Sequence, residues 1–144
     1  MKVSRILSTK RRDIITIRPD QTIREALVLL HQHNIGVLVI LDEAGSLSGI
    51  LSERDIVRFA IEDENLFARP VSDVMTKQVI TGLPQDEIAQ VIHTMTERRF
   101  RHLPIVDEGK LIGIISIGDI IKAQRDEYLG EIDTLETQIM AEDS

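Results

Sequence analysis

Gly49-Ile50-Leu51-Ser52-Glu53-Arg54-Asp55-Ile56-Val57 returns 64 positions later as Gly113-Ile114-Ile115-Ser116-Ile117-Gly118-Asp119-Ile120-Ile121. The similarity extends in both directions. At an offset of 65, Pro19 falls on Pro84, the apolar set Ile23, Ala26, Leu27 and Leu30 on Ile88, Val91, Ile92 and Met95, and Leu38, Ile40, Leu41 and Asp42 on Leu103, Ile105, Val106 and Asp107. Earlier still, Val3-Ser4-Arg5-Ile6-Leu7 resembles Val71-Ser72-Asp73-Val74-Met75. The chain is an internal duplication, and a repeat found at this level governs every later reading of the fold.

Each copy reads strand, helix, strand, strand, helix. The first strands are short, Ile14 to Ile17 and Gln78 to Thr81. The first helix opens at Thr22 with Glu25 three residues on, a capping-box pattern, and its i, i+3, i+4, i+7 apolar spacing buries one face until about His33. Two apolar runs, Val37 to Leu41 and Leu47 to Leu51, are parted by a polar turn, and their counterparts flank Asp107-Glu108-Gly109-Lys110; both read as hairpins. A second helix follows each hairpin, about Glu53 to Ile61 in the first copy and as far as about Met140 in the second. The polar stretch Glu62 to Pro70 divides the copies. The expected organisation is a first repeat over 1–65, a second over 66–124 and an acidic helical tail over 125–144. Units of about 65 residues are marginal alone, so the two α/β repeats are expected to pack about a pseudo-twofold axis.

Composition narrows the function. The 144 residues are 42% hydrophobic and 28% charged, as in globular proteins, and 32 of them are Ile or Val, which favours strands. With no cysteine, disulfides, thiolate metal sites and a thiol nucleophile are excluded. The longest apolar run, Ile35 to Leu41, is far below the roughly 20 residues that cross a bilayer, and no secretory signal opens the sequence, so a cytoplasmic protein without membrane contact is expected. Of the net charge of −7, residues 125–144 carry −6. A nearly neutral body with an acidic tail argues against nucleic-acid binding, which rests on clustered Lys and Arg.

These features resemble a tandem pair of cystathionine-β-synthase (CBS) domains. The likeness is carried by Val74-Met75-Thr76, by the strand Arg101 to Asp107 with its Arg-His-Leu-Pro-Ile-Val-Asp order, and by the two Gly-apolar-apolar-Ser-x-x-Asp segments. It covers residues 1 to about 124. It implies a stand-alone regulatory module, not an enzyme, that binds AMP, ADP, ATP or another adenosyl ligand such as S-adenosylmethionine or NAD(H) in clefts between the repeats. It also implies a flat homodimer through the second helices and an unidentified protein target.

Residue by residue, Ser52-Asp55 and Ser116-Asp119 have a local role as helix caps, with serine at the N-cap and a carboxylate opposing the dipole. The same geometry offers N–H groups and a hydroxyl to phosphate, while the aspartate accepts from ribose hydroxyls. Both roles are compatible, and the resemblance assigns the ribose to the aspartates. It also turns Arg101 and His102 toward phosphates and places Pro104 beside the adenine edge. The first copy has Gly36, Val37 and Val39 at those positions. Lys10 and Arg12, with Arg11, lie in a longer lead-in loop and are candidates to supply the missing charge; Thr16, Thr81 and Ile80 end the first strands and are candidates to touch base or ribose.

Other chemistries lack a constellation. His31 and His33 point in different directions on a helix, so no metal is expected, and neither a nucleophile elbow nor a phosphate loop with lysine occurs. In the tail, Tyr128, Ile132, Leu135 and Ile139 follow coiled-coil seam spacing. Gly130 costs such a helix about 1 kcal/mol relative to Ala. Two heptads alone are unstable, so the tail is expected to pair with a second copy, pack on the body or recruit a partner. Its acidity opposes a parallel twin at low salt. An empty-cleft structural protein acting through this tail is the alternative function.

Overall fold

The computed structural model describes residues 1–10 and 14–143, with side chains to residue 141. Helix α1 (Val3–Thr9) leads into strand β1 (Thr16–Ile17), helix α2 (Ile23–His33), the hairpin β2 (Val37–Leu41) and β3 (Leu47–Ser52), and helix α3 (Glu53–Ala60). Short 3-10 turns at Leu66–Ala68 and Val71–Asp73 carry the chain into helix α4 (Ile88–Arg98), the hairpin β4 (His102–Asp107) and β5 (Lys110–Ser116), and the long helix α5 (Ile117–Asp143). The architecture is the expected α/β duplication. Even the helix ends correspond: Asn34 and Arg99, 65 apart, both turn left-handed at φ 52° and 57° to close α2 and α4.

The first sheet orders β1-β2-β3, with β1 parallel and β3 antiparallel to β2. In the second repeat the expected strand Gln78 to Thr81 shrinks to a single bridge, Gly82 against Ile105. Pro104 gives the reason. Gly82 N–H donates to the Pro104 carbonyl, and the Gly82 carbonyl accepts from Val106 N–H, both at 2.9 Å. The next ladder bond back, onto Ile80, would need an N–H on residue 104, which proline lacks and its counterpart Val39 has.

The two cores are completed crosswise. Val3 and Ile6 of α1, at the head of the first repeat, are buried with Ile88, Val91, Met95, Leu103, Ile105, Ile115 and Ile120 of the second. Leu66, Val71 and Val74, leading into the second repeat, are buried with Ile17, Ile23, Leu38, Leu51 and Ile56 of the first. Backbone bonds repeat the exchange. Val3 N–H donates to Asp86 O and Ile88 N–H to Met1 O, each 2.9 Å, while Val71 N–H donates to Gln21 O at 2.7 Å and Ile23 N–H to Arg69 O at 2.9 Å. Glycine seats each lead-in. A Cβ on Gly113 would lie 2.6 Å from Leu7 Cδ2, and one on Gly49 would lie 2.6 Å from Met75 Sδ and 2.8 Å from the Thr76 carbonyl.

Candidate functional site

Both Ser-x-x-Asp segments fold as the local chemistry predicts. Ser52 caps α3: Asp55 N–H donates to its Oγ, and Ser52 N–H donates to Asp55 Oδ2, each at 3.1 Å. At the start of α5 the reciprocal pair recurs, with Asp119 N–H to Ser116 Oγ at 3.0 Å and Ser116 N–H to Asp119 Oδ2 at 2.9 Å. Orphan N–H groups of the first turn are satisfied in both, and a carboxylate opposes the dipole.

The second repeat then adds a cation. Lys10, arriving from the end of α1, places Nζ 2.8 Å from Asp119 Oδ2 and also donates to the Ile114 carbonyl. Both side chains of the ion pair are three-quarters buried or close to it. Burial pushes the Asp119 carboxyl up, but the Lys10 hydrogen bond, the Ser116 N–H and the Lys10 charge outweigh it and hold the group below its ordinary value. His102, paired across the hairpin with Ser116, is pulled below the usual histidine value by burial first, then by the Lys10 charge, with Asp119 opposing and Arg101 adding a smaller push. The imidazole is therefore favoured neutral, an acceptor as well as a donor.

A cavity of about 790 Å³ opens on this pair. It is lined by Ser116, Asp119, His102 and Lys10 and, from the first repeat, by Ile14, Ile15, Gly36, Val37 and Val39. The volume falls within the about 300–1,000 Å³ usual for small-molecule sites. A helix amino terminus, a carboxylate and a cation beside apolar residues suit a ligand with an anionic end, a diol and a flat apolar ring.

The structure thus brings together Ser116, Asp119, His102 and Lys10. Lys10 serves the aspartate of the second repeat, whereas the repeat alignment reserves it for the first. Gly36, Val37 and Val39, aligned as marks of a separate first-repeat cleft, line the same cavity as Asp119. Arg101, Thr16, Ile80 and Thr81 are exposed and Pro104 is buried in β4, and none of them borders this cavity. Ser52 and Asp55 lie outside it as well. Arg11 and Arg12 fall outside the described residues. Ile14 and Ile15, and the sharing of one cavity by Gly36, Val37 and Val39 with Asp119, escape the sequence reading, because an alignment of copies groups residues by repeat while the cleft takes them from both. The repeated exchange signal, two lead-ins that resemble each other, was the available clue. Among the described residues no cluster of His, Asp and Glu has metal-ligating geometry, and no helix is long and apolar enough to cross a membrane.

Comparison with known proteins agrees with this geometry. The chain is 34% identical over 118 residues to the CBS domain-containing protein YhcV of Bacillus subtilis (strain 168), covering 82% of this chain and 84% of that one. The solved structure of the CBS-domain containing protein ATU1752 from Agrobacterium tumefaciens superposes with a TM-score of 0.81 at 41% identity, covering 85% of this chain and 92% of that one. The CBS domain protein PAE2072 from Pyrobaculum aerophilum, solved in complex with AMP, superposes with a TM-score of 0.74 at 25% identity over 83% of this chain and 89% of that one. The CBS domain family model matches twice, over residues 3–62 and 71–126. With two matches, a duplicated fold and cores laced across the repeats, the chain belongs to the CBS-domain family as a tandem pair.

Proposed function

We propose that the protein is a regulatory module that binds an adenine nucleotide in the cavity beside Asp119. The observation that carries this reading is the Lys10–Asp119 pair at the start of α5, set inside a cavity of fitting size. Among the described residues the hydrogen bonds of Asp119 fall on Oδ2, which leaves Oδ1 to accept from a ribose diol; Ser116 and the amino terminus of α5 lie beside it, and Lys10 and His102 supply donors to phosphate. Gly36 lets the backbone there approach the base. The AMP complex of PAE2072 supports this ligand class, and no step of catalysis is assigned to these residues. An equivalent cleft at Ser52 and Asp55, walled by Ile80, Thr81, Arg101 and Pro104, follows from the pseudo-twofold relation; Thr16 and Arg12 complete the set of contacts proposed from sequence. The repeat boundaries at 65 and 124 belong to the same reading, as does a homodimer through the body: Val57 on α3 and its counterpart Ile121 on α5 are 62% and 61% exposed.

Titration calorimetry and thermal melts against AMP, ADP, ATP, NADH and S-adenosylmethionine test the proposal. A ligand at 100 times its dissociation constant adds about 2.7 kcal/mol of apparent stability. No shift with any of the five, in a protein that melts cooperatively, overturns it. The alternative, a structural module acting through α5, is favoured by one observation: Tyr128, Ile132, Leu135 and Ile139 are all about half exposed or more.

A further inference from the structure

Helix α5 is 27 residues long, and from Arg125 onward every residue whose side chain is described is exposed. Its body-facing side is fixed by buried Ile120 and half-buried Ala123. The seam of Tyr128, Ile132, Leu135 and Ile139 runs about a quarter turn round the helix from Ile120, in line with exposed Ile121. Among the described residues nothing covers that seam, and Gly130 interrupts neither the helix nor the stripe.

The charges beside the seam say what covers it. Extending the seam one step back reaches Arg125; Glu131 and Gln138 flank it on one side, Leu129 and Glu136 on the other. In a parallel pair each seam residue meets itself, so Arg125 would be stacked on the partner's Arg125, and Glu131 would face the partner's Glu136 on both sides. In an antiparallel pair Tyr128 layers on the partner's Ile139 and Ile132 on the partner's Leu135, with four apolar layers filled. Glu131 then lies beside the partner's Gln138, and Glu136 beside the partner's Leu129. Arg125 moves to the far end of the partner helix, where residues 136–143 hold three acids and no base in sequence. Every like-charge contact of the parallel arrangement is removed, and one cation gains an acidic neighbourhood. The apolar spacing and the charge pattern agree on one occupant.

We propose that the distal half of α5 pairs antiparallel with the same helix of a second copy, at the register Tyr128 on Ile139 and Ile132 on Leu135. This contact leaves the Val57 and Ile121 faces of the bodies free, and it holds whether or not the cleft takes a nucleotide. Acidic residues off the seam still repel across the pair, so association tightens as salt is raised, since exposed charges are screened within a Debye length. A basic partner helix on the same seam would show the opposite trend.

The chain has no cysteine, so single thiols report the register directly. Full-length Tyr128→Cys and Ile139→Cys chains are prepared, oxidised separately and as an equal mixture, and resolved on a non-reducing gel. The antiparallel register yields a cross-linked dimer in the mixture alone. In that register two copies of the same variant hold their thiols about 16 Å apart along the axis, beyond the roughly 7 Å reach of a disulfide between Cα atoms. Cross-linking within either separate sample means a parallel pair and overturns the proposal. As a second measurement, Leu135→Asp changes an exposed residue of the single chain, so both repeats should still fold and melt cooperatively, while its assembly mass by light scattering falls by half. An unchanged mass for Leu135→Asp, or no cross-link in the mixture, likewise overturns it.

Discussion

The amino termini of α3 and α5 carry the same four-residue motif and solve the same local problem in the same way. Ser52 with Asp55 and Ser116 with Asp119 form the same reciprocal capping box, and the bond lengths differ by at most 0.2 Å. They differ in what arrives from elsewhere. Asp119 receives Lys10 from 109 residues away and faces a cavity, while Asp55 has no ion pair among the described residues. A motif fixes the cap, and the chain that crosses over it fixes the chemistry.

The largest effect that sharpens this contrast is on ligand affinity. Asp119→Ala and Asp55→Ala each lose a first-turn carboxylate and should each cost stability of about 1 kcal/mol through the cap. Only Asp119→Ala should weaken AMP at the Lys10 cavity, by about 1.5–3 kcal/mol, or roughly tenfold to 150-fold. Calorimetry in which Asp55→Ala weakened that site equally would erase the distinction between the two motifs.

Next comes the seat of each lead-in. Gly49→Ala would press a methyl on the Thr76 carbonyl as well as on Met75, whereas Gly113→Ala meets chiefly the tip of Leu7. A backbone oxygen cannot swing aside as a leucine methyl can. Gly49→Ala is expected to destabilise by about 1–3 kcal/mol, and Gly113→Ala by clearly less; equal urea midpoints would show that the lead-ins give way alike.

A smaller change tests the cation. Lys10→Met keeps the aliphatic stem and removes the charge, and it should lower stability at neutral pH by about 1 kcal/mol. Because the folded-state Asp119 value is depressed, this contribution is full above the ordinary carboxyl value and fades as pH falls through the folded one. Wild type and Lys10→Met should therefore converge in thermal melts in acid; a constant gap down to low pH would mean the lysine acts by packing alone.

The smallest effect belongs to His102. Its folded value is lowered, so as pH drops below the ordinary histidine value of about 6.5 the unfolded chain takes up protons first and stability declines. His102→Gln should flatten that part of the pH profile. An unaltered slope in melts between neutral and mildly acidic pH would locate the decline elsewhere.

Much of this molecule can be read from residue order. Thr22 as a cap, the hairpin pairs, the Glu53 start of α3 and the uninterrupted α5 all rest on signals within a few residues of one another, and the duplication doubles each signal. Two features resist. The missing strand before Gly82 depends on an N–H that Pro104, more than 20 residues on, does not have. The membership of the cavity depends on which repeat each lead-in packs against, and Val3, Ile6, Val71 and Val74 carry the same apolar pattern whichever core they enter. Lys10 is legible as a cation near a cleft; that its partner is Asp119 is set by the direction in which α1 crosses.

That crossing also imposes an order in time. Val3 and Ile6 are synthesised early, yet their buried neighbours Ile115 and Ile120 follow more than a hundred residues later. Until that stretch has left the ribosome, α1 has no surface to dock on and its apolar side stays in water. Contacts between residues so far apart in sequence demand chain closure before they give any return, which slows folding. Nor can the first core finish early, since it waits for Val71 and Val74. A nascent chain halted between the copies should expose apolar surface to chaperones at both places; once Val74 has emerged the first core can close, whereas α1 is expected to become protease-resistant only after Ile120 has emerged.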